Sequence, residues 1–481
     1  PWESWPTVAG ARKSAVLVTP WLGTSVPFFS LEIARMLAEE GEQVQVLFDA
    51  TDVFGNAPSS MEIEDLREAV AGIERYVPVS RTETWASAVC AEEDLTFARQ
   101  LVYENGIWRT RGEAGAGAFA ARKESLLENV AKHLRRVEDF IAASGIEWLL
   151  IPGGIWGLSG IYVRAAQRAG VPFVTYDSGK KILILCQNGI AAHQADIPKA
   201  LESLKADLGH DSKLSACEWA RAECAERLSG RGNYNVFQAH AATGETGAEC
   251  NVLVPLNLRW DSAALGRQRL FASVKDWIGA LVRWAETEPL ARVCIRQHPI
   301  ERRAAWRSSD DLGQFIRDLQ PNPQRVRFIA AEDPVNTYDL LAQTKVLLPF
   351  TSSMAMEAGM RGIPVITSAQ NYYESCEFVV RAESVDDYFA LIGRALRGGI
   401  ELPSSAPDDA ALVYYLTQRC NLMKTSFTAE SVEFLEWSRV SPEVLWQEPE
   451  AQDLRRALRG GEPLSFIRHQ RFASAPAAER A

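Results

Sequence analysis

Residues 346–369 read VLLPFTSSMAMEAGMRGIPVITSA. An apolar run, Val346 to Leu348, is followed by a hydroxyl-rich turn, Thr351-Ser352-Ser353. Met354 to Met360 then has helix-forming composition, and Gly362-Ile363-Pro364 leads into a second apolar run at Val365-Ile366. This is one strand–turn–helix–strand unit of an α/β protein. A turn of this kind ahead of a helix offers hydroxyls and backbone N–H groups to a phosphate. About fifty residues upstream, Ala291 to Ile295 reads as another buried strand and ends in Arg296-Gln297-His298-Pro299. Two strand ends carrying such groups point to a site for a nucleotide or diphosphate.

The pattern extends in both directions. Ala15 to Thr19 and Val44 to Phe48 are apolar strands flanking a helix, Phe28 to Glu39, that stops at Gly41. A long helix spans Arg122 to Ala143. Strands follow at Trp148 to Ile151, ending in Pro152-Gly153-Gly154, and at Pro172 to Tyr176, ending in Asp177-Ser178-Gly179. After Ala241–Glu249, AATGETGAE, which reads as a linker, the alternation restarts with Val252 to Leu256, a helix at Phe271 to Glu286, and strands at Ala291, Val326 and Val346. Ser384 to Arg397 has a helix N-cap Ser with Asp386 and Asp387 in its first turn. The expected fold is α/β, with two Rossmann-like domains facing across a cleft. The expected boundaries are 1–240 for an acceptor domain, 251–400 for a nucleotide-sugar donor domain, and 401–481 for C-terminal helices returning to the first domain, with a frayed tail at Ala473–Ala481.

Composition narrows the class. The 481 residues are 47% hydrophobic, enough for two cores. A net charge of −11 argues against nucleic-acid binding. There is no run of 18 apolar residues. The first residues, PWESWPTVAGARKSAVLV, lack the apolar core of a signal peptide. The eight Cys form no C-x-x-C pair and read as reduced, structural thiols. The expected location is cytoplasmic, extending to peripheral association with the inner face of a membrane. The six His lack ligand spacing, so no metal or cofactor is expected.

Three segments carry a family resemblance: NVLVPLNLRWDSAAL (251–265), FASVKDWIGALVRWAETEPLARVCIRQHPIERR (271–303) and NTYDLLAQTKVLLPFTSSMAMEAGMRGIPVITSAQNYYES (336–375). They resemble the capsule polysaccharide biosynthesis proteins, a group with GT-B glycosyltransferase-like architecture. The His-Pro and Ser-Ser elements are similar to those of bacterial Kdo and sialyl transferases, which use CMP-sugars. Asp177-Ser178-Gly179 with Asn188 to His193 and Asp196 looks like the N-domain signature of that group.

The resemblance implies a metal-independent transferase. Its sugar would come from a nucleotide-sugar (CMP-Kdo or nonulosonate-like, UDP- or GDP-linked) and go to a polysaccharide, glycolipid or glycoprotein acceptor. Arg296, His298, Thr351, Ser352 and Ser353 are the expected nucleotide-binding residues, with Glu357 on the ribose. Against these stand plainer readings: a strand-end turn for His298, an N-cap for the serines, a surface carboxylate for Glu357. Asp177, His193 and Asp196 are the acid/base candidates, since an inverting transfer needs a group to take the acceptor hydroxyl's proton. Asp49 and Asp52 come next, and equally suit a turn. The Gly23-Thr24-Ser25 turn is a candidate for approaching an acceptor, and Lys180, Lys181, Arg302 and Arg303 are basic positions near these loops. Trp21, Trp156 and Trp260, on expected loops, are the candidates for stacking on sugar rings. Two other functions fit the same pattern: a GT-B-like sugar-nucleotide epimerase, and a non-catalytic carbohydrate-binding or assembly protein.

Overall fold

Strands β1 (Lys13–Val18) and β2 (Gln43–Phe48) pair in parallel, with Val16 opposite Val46. The helix Val26–Glu39 joins them. Both strands are buried from their second residue onward, as expected of a sheet covered on both faces. This computed structural model describes residues 11–21, 24, 26–55, 60–85, 89, 91–112, 123–179, 182–207, 209–228, 249–424 and 447–474. Strands β3 (Val79–Arg81), β4 (Trp148–Pro152) and β5 (Phe173–Gly179) complete a parallel sheet in the order β3-β2-β1-β4-β5. That is the Rossmann order for the first five strands.

Side-chain alternation sorts β1 onto two cores. Val16 and Val18 join a cluster with the helix Val26–Glu39 and, from the far end of the chain, Ala451, Leu454 and Leu458. Ala15 and Leu17 face the opposite cluster, built with the helices Lys123–Ser144 and Gly157–Ala169. Gly170 ends the latter helix in the left-handed conformation, φ 65°, with its N–H on the Ala166 carbonyl. Gly153, after β4, takes φ 67°, and a Cβ there would lie 2.6 Å from the Trp21 ring, so only glycine fits that turn.

The parallel run does not continue past β5. Strand β6 (Ile182–Gln187) folds back as a hairpin, placing Asp177 opposite Ile184. Asp177, expected at a strand end, therefore lies within an antiparallel pair.

The second sheet contains β7 (Val252–Pro255), β8 (Val293–Arg296), β9 (Val326–Ile329) and β10 (Val346–Leu347), all parallel, in the order β10-β7-β8-β9. The helices Val274–Thr287 and Val385–Leu396 pack on it. Their N-cap serines, Ser273 and Ser384, accept from the backbone N–H groups of Asp276 and Asp387.

The chain forms two compact units with interleaved boundaries. One takes Pro1–Asn105, Gly117–Ala200 and Arg419–Phe472; the other takes Gly106–Ala116, Leu201–Gln418 and Ala473–Ala481. The residues from 201 to the end of the helix His210–Leu228 thus belong with the second unit, not the first as their sequence position suggests. They are held there by Lys205–Asp409 and Arg221–Asp408 ion pairs to the helix Ala406–Tyr415. Of residues 401–481, the stretch from Arg419 returns to the first unit, where β11 (Met423–Lys424) pairs with β6. Residues 241–248 of the expected linker and 475–481 of the tail lie outside the described residues.

Candidate functional site

Three strand ends of the second unit meet at one edge of the sheet. β8 and β10 flank β7, so their carboxyl ends stand about 10 Å apart, two strand spacings. The loops are tied together. Leu256 N donates to the Arg296 carbonyl at 2.9 Å, and Thr351 N donates to Asn257 Oδ1 at 3.1 Å.

His298 is the N-cap of the 3₁₀ turn Pro299–Arg302, and its Nδ1 accepts from Ile300 N at 3.2 Å. Accepting at Nδ1 places the ring proton on Nε2. Burial, with the Arg296 charge adding to it, pushes the His298 pKa down to about 4. At neutral pH His298 is an uncharged Nε2–H donor.

The hydroxyls of the Thr351–Ser353 turn are used unequally. Ser352 Oγ accepts from the N–H of Met354, the first residue of the following helix, at 3.3 Å. Ser353 makes no side-chain cap bond, and the buried Thr351 Oγ1 has no partner. Tyr373 holds the turn from outside, its hydroxyl donating to the Ser352 carbonyl at 3.2 Å. The following helix, Met354–Gly359, has six residues. A dipole summed over so few peptides is small, and any anion there is met by individual donors.

Arg296 and Glu357 are engaged inside the protein. Arg296 is 1% exposed. Its guanidinium donates to the carbonyls of Ala330 and, at 3.3 Å, Val335, bracing the loop that follows β9. Burial lowers its pKa to about 10. Glu357 is 3% exposed. It lies 3.6 Å from Arg227 Nη1, with Tyr338 as a further neighbour. Burial raises its pKa to about 7, although Arg227 pulls the other way. The surface reading of Glu357 does not hold.

The first unit distributes its candidates over different settings. Asp177 is half-buried on β5. His193 closes the 3₁₀ turn Ala191–His193 and is 9% exposed. Asp196 is buried, and its Oδ2 accepts from Gln187 N at 2.9 Å, pinning the end of β6. Burial raises its pKa to about 6. The loop position read for Asp49 conceals a network. Its fully buried carboxylate meets His133 Nε2 at 2.7 Å, the Tyr162 hydroxyl at 3.0 Å and the Thr82 hydroxyl at 3.1 Å. Burial opposes ionisation, but His133 and the bonds it and Thr51 make outweigh that and lower the pKa.

Thr24 caps the first helix, accepting from Val26 N while donating to the Trp21 carbonyl. Trp21 and Trp156 pack at 5.8 Å, and Trp260 stacks on Trp306. Gly23, Ser25, Lys180 and Lys181 lie outside the described residues. Among the described residues no group of three or more His, Cys, Asp or Glu is arranged to hold a metal ion. No described helix is long and apolar enough to cross a membrane.

Sequence reading missed Asn257, Arg227, Tyr338 and Tyr373 around the second-unit site, and His133 and Tyr162 around Asp49. No local pattern marks them. His133 and Tyr162 are 84 and 113 residues from Asp49.

No protein-family model matches the chain, and no curated protein matches it. Solved structures do. The Thermosulfurimonas dismutans KpsC, a beta Kdo 2,4 transferase, aligns over 56% of this chain and 79% of its own, at 14% identity and a TM-score of 0.35. The UDP-GlcNAc 2-epimerase from Neisseria meningitidis, bound to UDP-GlcNAc, covers 84% of this chain and 98% of its own, at 10% identity and TM-score 0.26. The glycotransferase of kitacinnamycin covers 97% and 100%, at 14% identity and TM-score 0.22. Values this low speak to neither donor nor acceptor.

Proposed function

We propose that this protein is a metal-independent glycosyltransferase that binds a nucleotide-sugar on its second unit. The sugar would be transferred to a polysaccharide, glycolipid or glycoprotein acceptor held by the first unit. The observation that carries the reading is the strand-end edge itself. It has a neutral His298 Nε2–H donor and two hydroxyls, of Thr351 and Ser353, not consumed by the helix cap. A nucleotide phosphate accepts from such groups, and the roughly 10 Å between the two strand ends suits a ligand that touches both. Arg296 acts here by holding the His298 loop against its neighbour, while Glu357 stiffens the helix behind the serines. Fixed donors aimed at the leaving phosphate do the work a metal ion does elsewhere. Asp177 takes the acceptor hydroxyl's proton, with His193 and then Asp196 as the next choices.

A thermal-shift screen with CMP, UDP, GDP, CDP and TDP tests the donor half. A ligand that binds only the folded state at a hundred times its Kd adds about 2.7 kcal/mol of stability. One or more of the five should raise the melting temperature of the wild type. No shift with any of them at millimolar concentration overturns the reading. Turnover of a nucleotide-sugar without an acceptor would replace it with an epimerase.

A further inference from the structure

The loop beyond the His-Pro turn carries a feature that nucleotide binding does not use. Residues 303–307, RAAWR, are all exposed. Trp306 is 41% exposed, the only exposed tryptophan among the described residues. Its ring stacks on Trp260, with centroids 5.7 Å apart and 19° between planes. Trp260 lies beyond β7 and Trp306 beyond β8, which are adjacent and parallel, so both belong to loops at the carboxyl edge that carries His298.

The stack is braced. The Arg111 guanidinium lies over the Trp260 ring, 5.4 Å from its centroid. Arg111 Nη1 donates to the Ala305 carbonyl at 2.6 Å, and its own carbonyl accepts from Ser309 N at 2.9 Å. Arg111 has φ 56°, a left-handed backbone that these contacts hold. Below the loop, Arg259 grips the buried Asp310 through both its carboxylate and its carbonyl.

Single exposed apolar side chains are ordinary. A ring kept flat by a second ring, a fixed cation and a hydrogen-bonded loop is preorganised, and preorganisation lowers the cost of binding. A flat indole face suits the C–H face of a pyranose. The margin is cationic. Arg303 and Arg307 lie on either side of Trp306 in the exposed loop, on a chain whose net charge is −11. Two acidic residues neighbour Arg307. Glu301 is buried and accepts from Ser308 N. Glu332 pairs with Arg307 at 2.7 Å with both side chains 56% exposed, a contact weak enough for a ligand carboxylate to replace.

We propose that the Trp260–Trp306 stack is a saccharide subsite for an acidic glycan, with a pyranose ring on Trp306 and its carboxylate toward Arg303 and Arg307. The subsite belongs to the second unit and does not rest on the transferase reading, which gives the acceptor to the first; it is measured without nucleotide or turnover.

The test is titration of the full chain with hyaluronan hexasaccharide, which is acidic, and maltohexaose, which is neutral, followed by NMR saturation transfer and tryptophan fluorescence. The wild type should bind the acidic sugar more tightly. Trp306→Ala should weaken that binding by about tenfold or more, and Trp306→Phe by less, as loss of a stacking ring predicts. The double variant Arg303→Gln/Arg307→Gln should lose the preference for the acidic sugar and retain the neutral one. Melting-temperature shifts with CMP or UDP should be the same in all variants. Unchanged saccharide binding in Trp306→Ala, or no binding of either sugar by the wild type, overturns the subsite. Equal affinity for both sugars in the wild type overturns its acidic assignment. A wild-type dimer that Trp306→Ala converts to monomer makes the stack a contact between copies and overturns the subsite as well. Absence of any nucleotide shift with saccharide binding intact removes the transferase reading and leaves the subsite standing.

Discussion

A neutral imidazole donates one hydrogen bond and loses little by desolvation, and that is the state in which His298 is held. Its Nδ1 is taken by Ile300 N and its pKa lies near 4. His298→Ala and Ser353→Ala should each weaken nucleotide binding by about tenfold, on the order of one hydrogen bond. Their melting temperatures without ligand should stay close to wild type. A collapse in stability with no specific change in affinity would assign both residues to the fold alone.

Glu357 makes a pH-dependent prediction. Its folded pKa of about 7 lies above the ordinary 4.5, so between those values the folded state holds a proton that the unfolded chain has released. Its contribution is complete below pH 4.5 and is lost as pH rises through 7, on the order of 3 kcal/mol in all. Glu357→Gln, which cannot titrate, should flatten the pH dependence of denaturant stability across that window. A slope equal to that of the wild type would exclude Glu357 as its source.

At the scale of the element, the second-unit edge is a set of short strands whose loops are tied to one another. Arg296 ends β8 yet holds the loop after β9 through the Ala330 and Val335 carbonyls. Arg296→Leu keeps apolar bulk but leaves those buried acceptors unpaired. It should cost about 2–4 kcal/mol of stability, measured by urea unfolding. Loss of nucleotide affinity with stability intact would instead make Arg296 a direct phosphate ligand. Local signals did foretell many elements here. Ser273 and Ser384 cap helices because a hydroxyl three residues before a backbone N–H is a sequence-local event. The β5–β6 hairpin was not legible, since Ile182–Gln187 is an apolar run like its parallel neighbours and nothing in its composition states its direction.

At the scale of the whole molecule, transfer needs a base for the acceptor hydroxyl as well as a held donor. Asp177→Asn keeps the shape and removes the base, so turnover should fall by about 10²–10⁴-fold while the CMP or UDP thermal shift survives. Full activity in that variant removes Asp177 from the mechanism and moves the role to His193.

Apolar runs ending in Gly, Pro and hydroxyl residues determined by themselves that this chain builds parallel α/β sheets. They also located the His298 and Thr351–Ser353 strand ends, because strand, turn and helix signals are written within a few residues. Only the tertiary structure decided the rest. It returned Arg419–Phe472 to the first unit and gave Leu201–Leu228 to the second. It buried Glu357 against Arg227 and closed Asp49 with His133 and Tyr162. Those pairings join residues far apart in the chain. Their energies come from burial and charge contact that exist only once the chain has folded, so no local pattern records them.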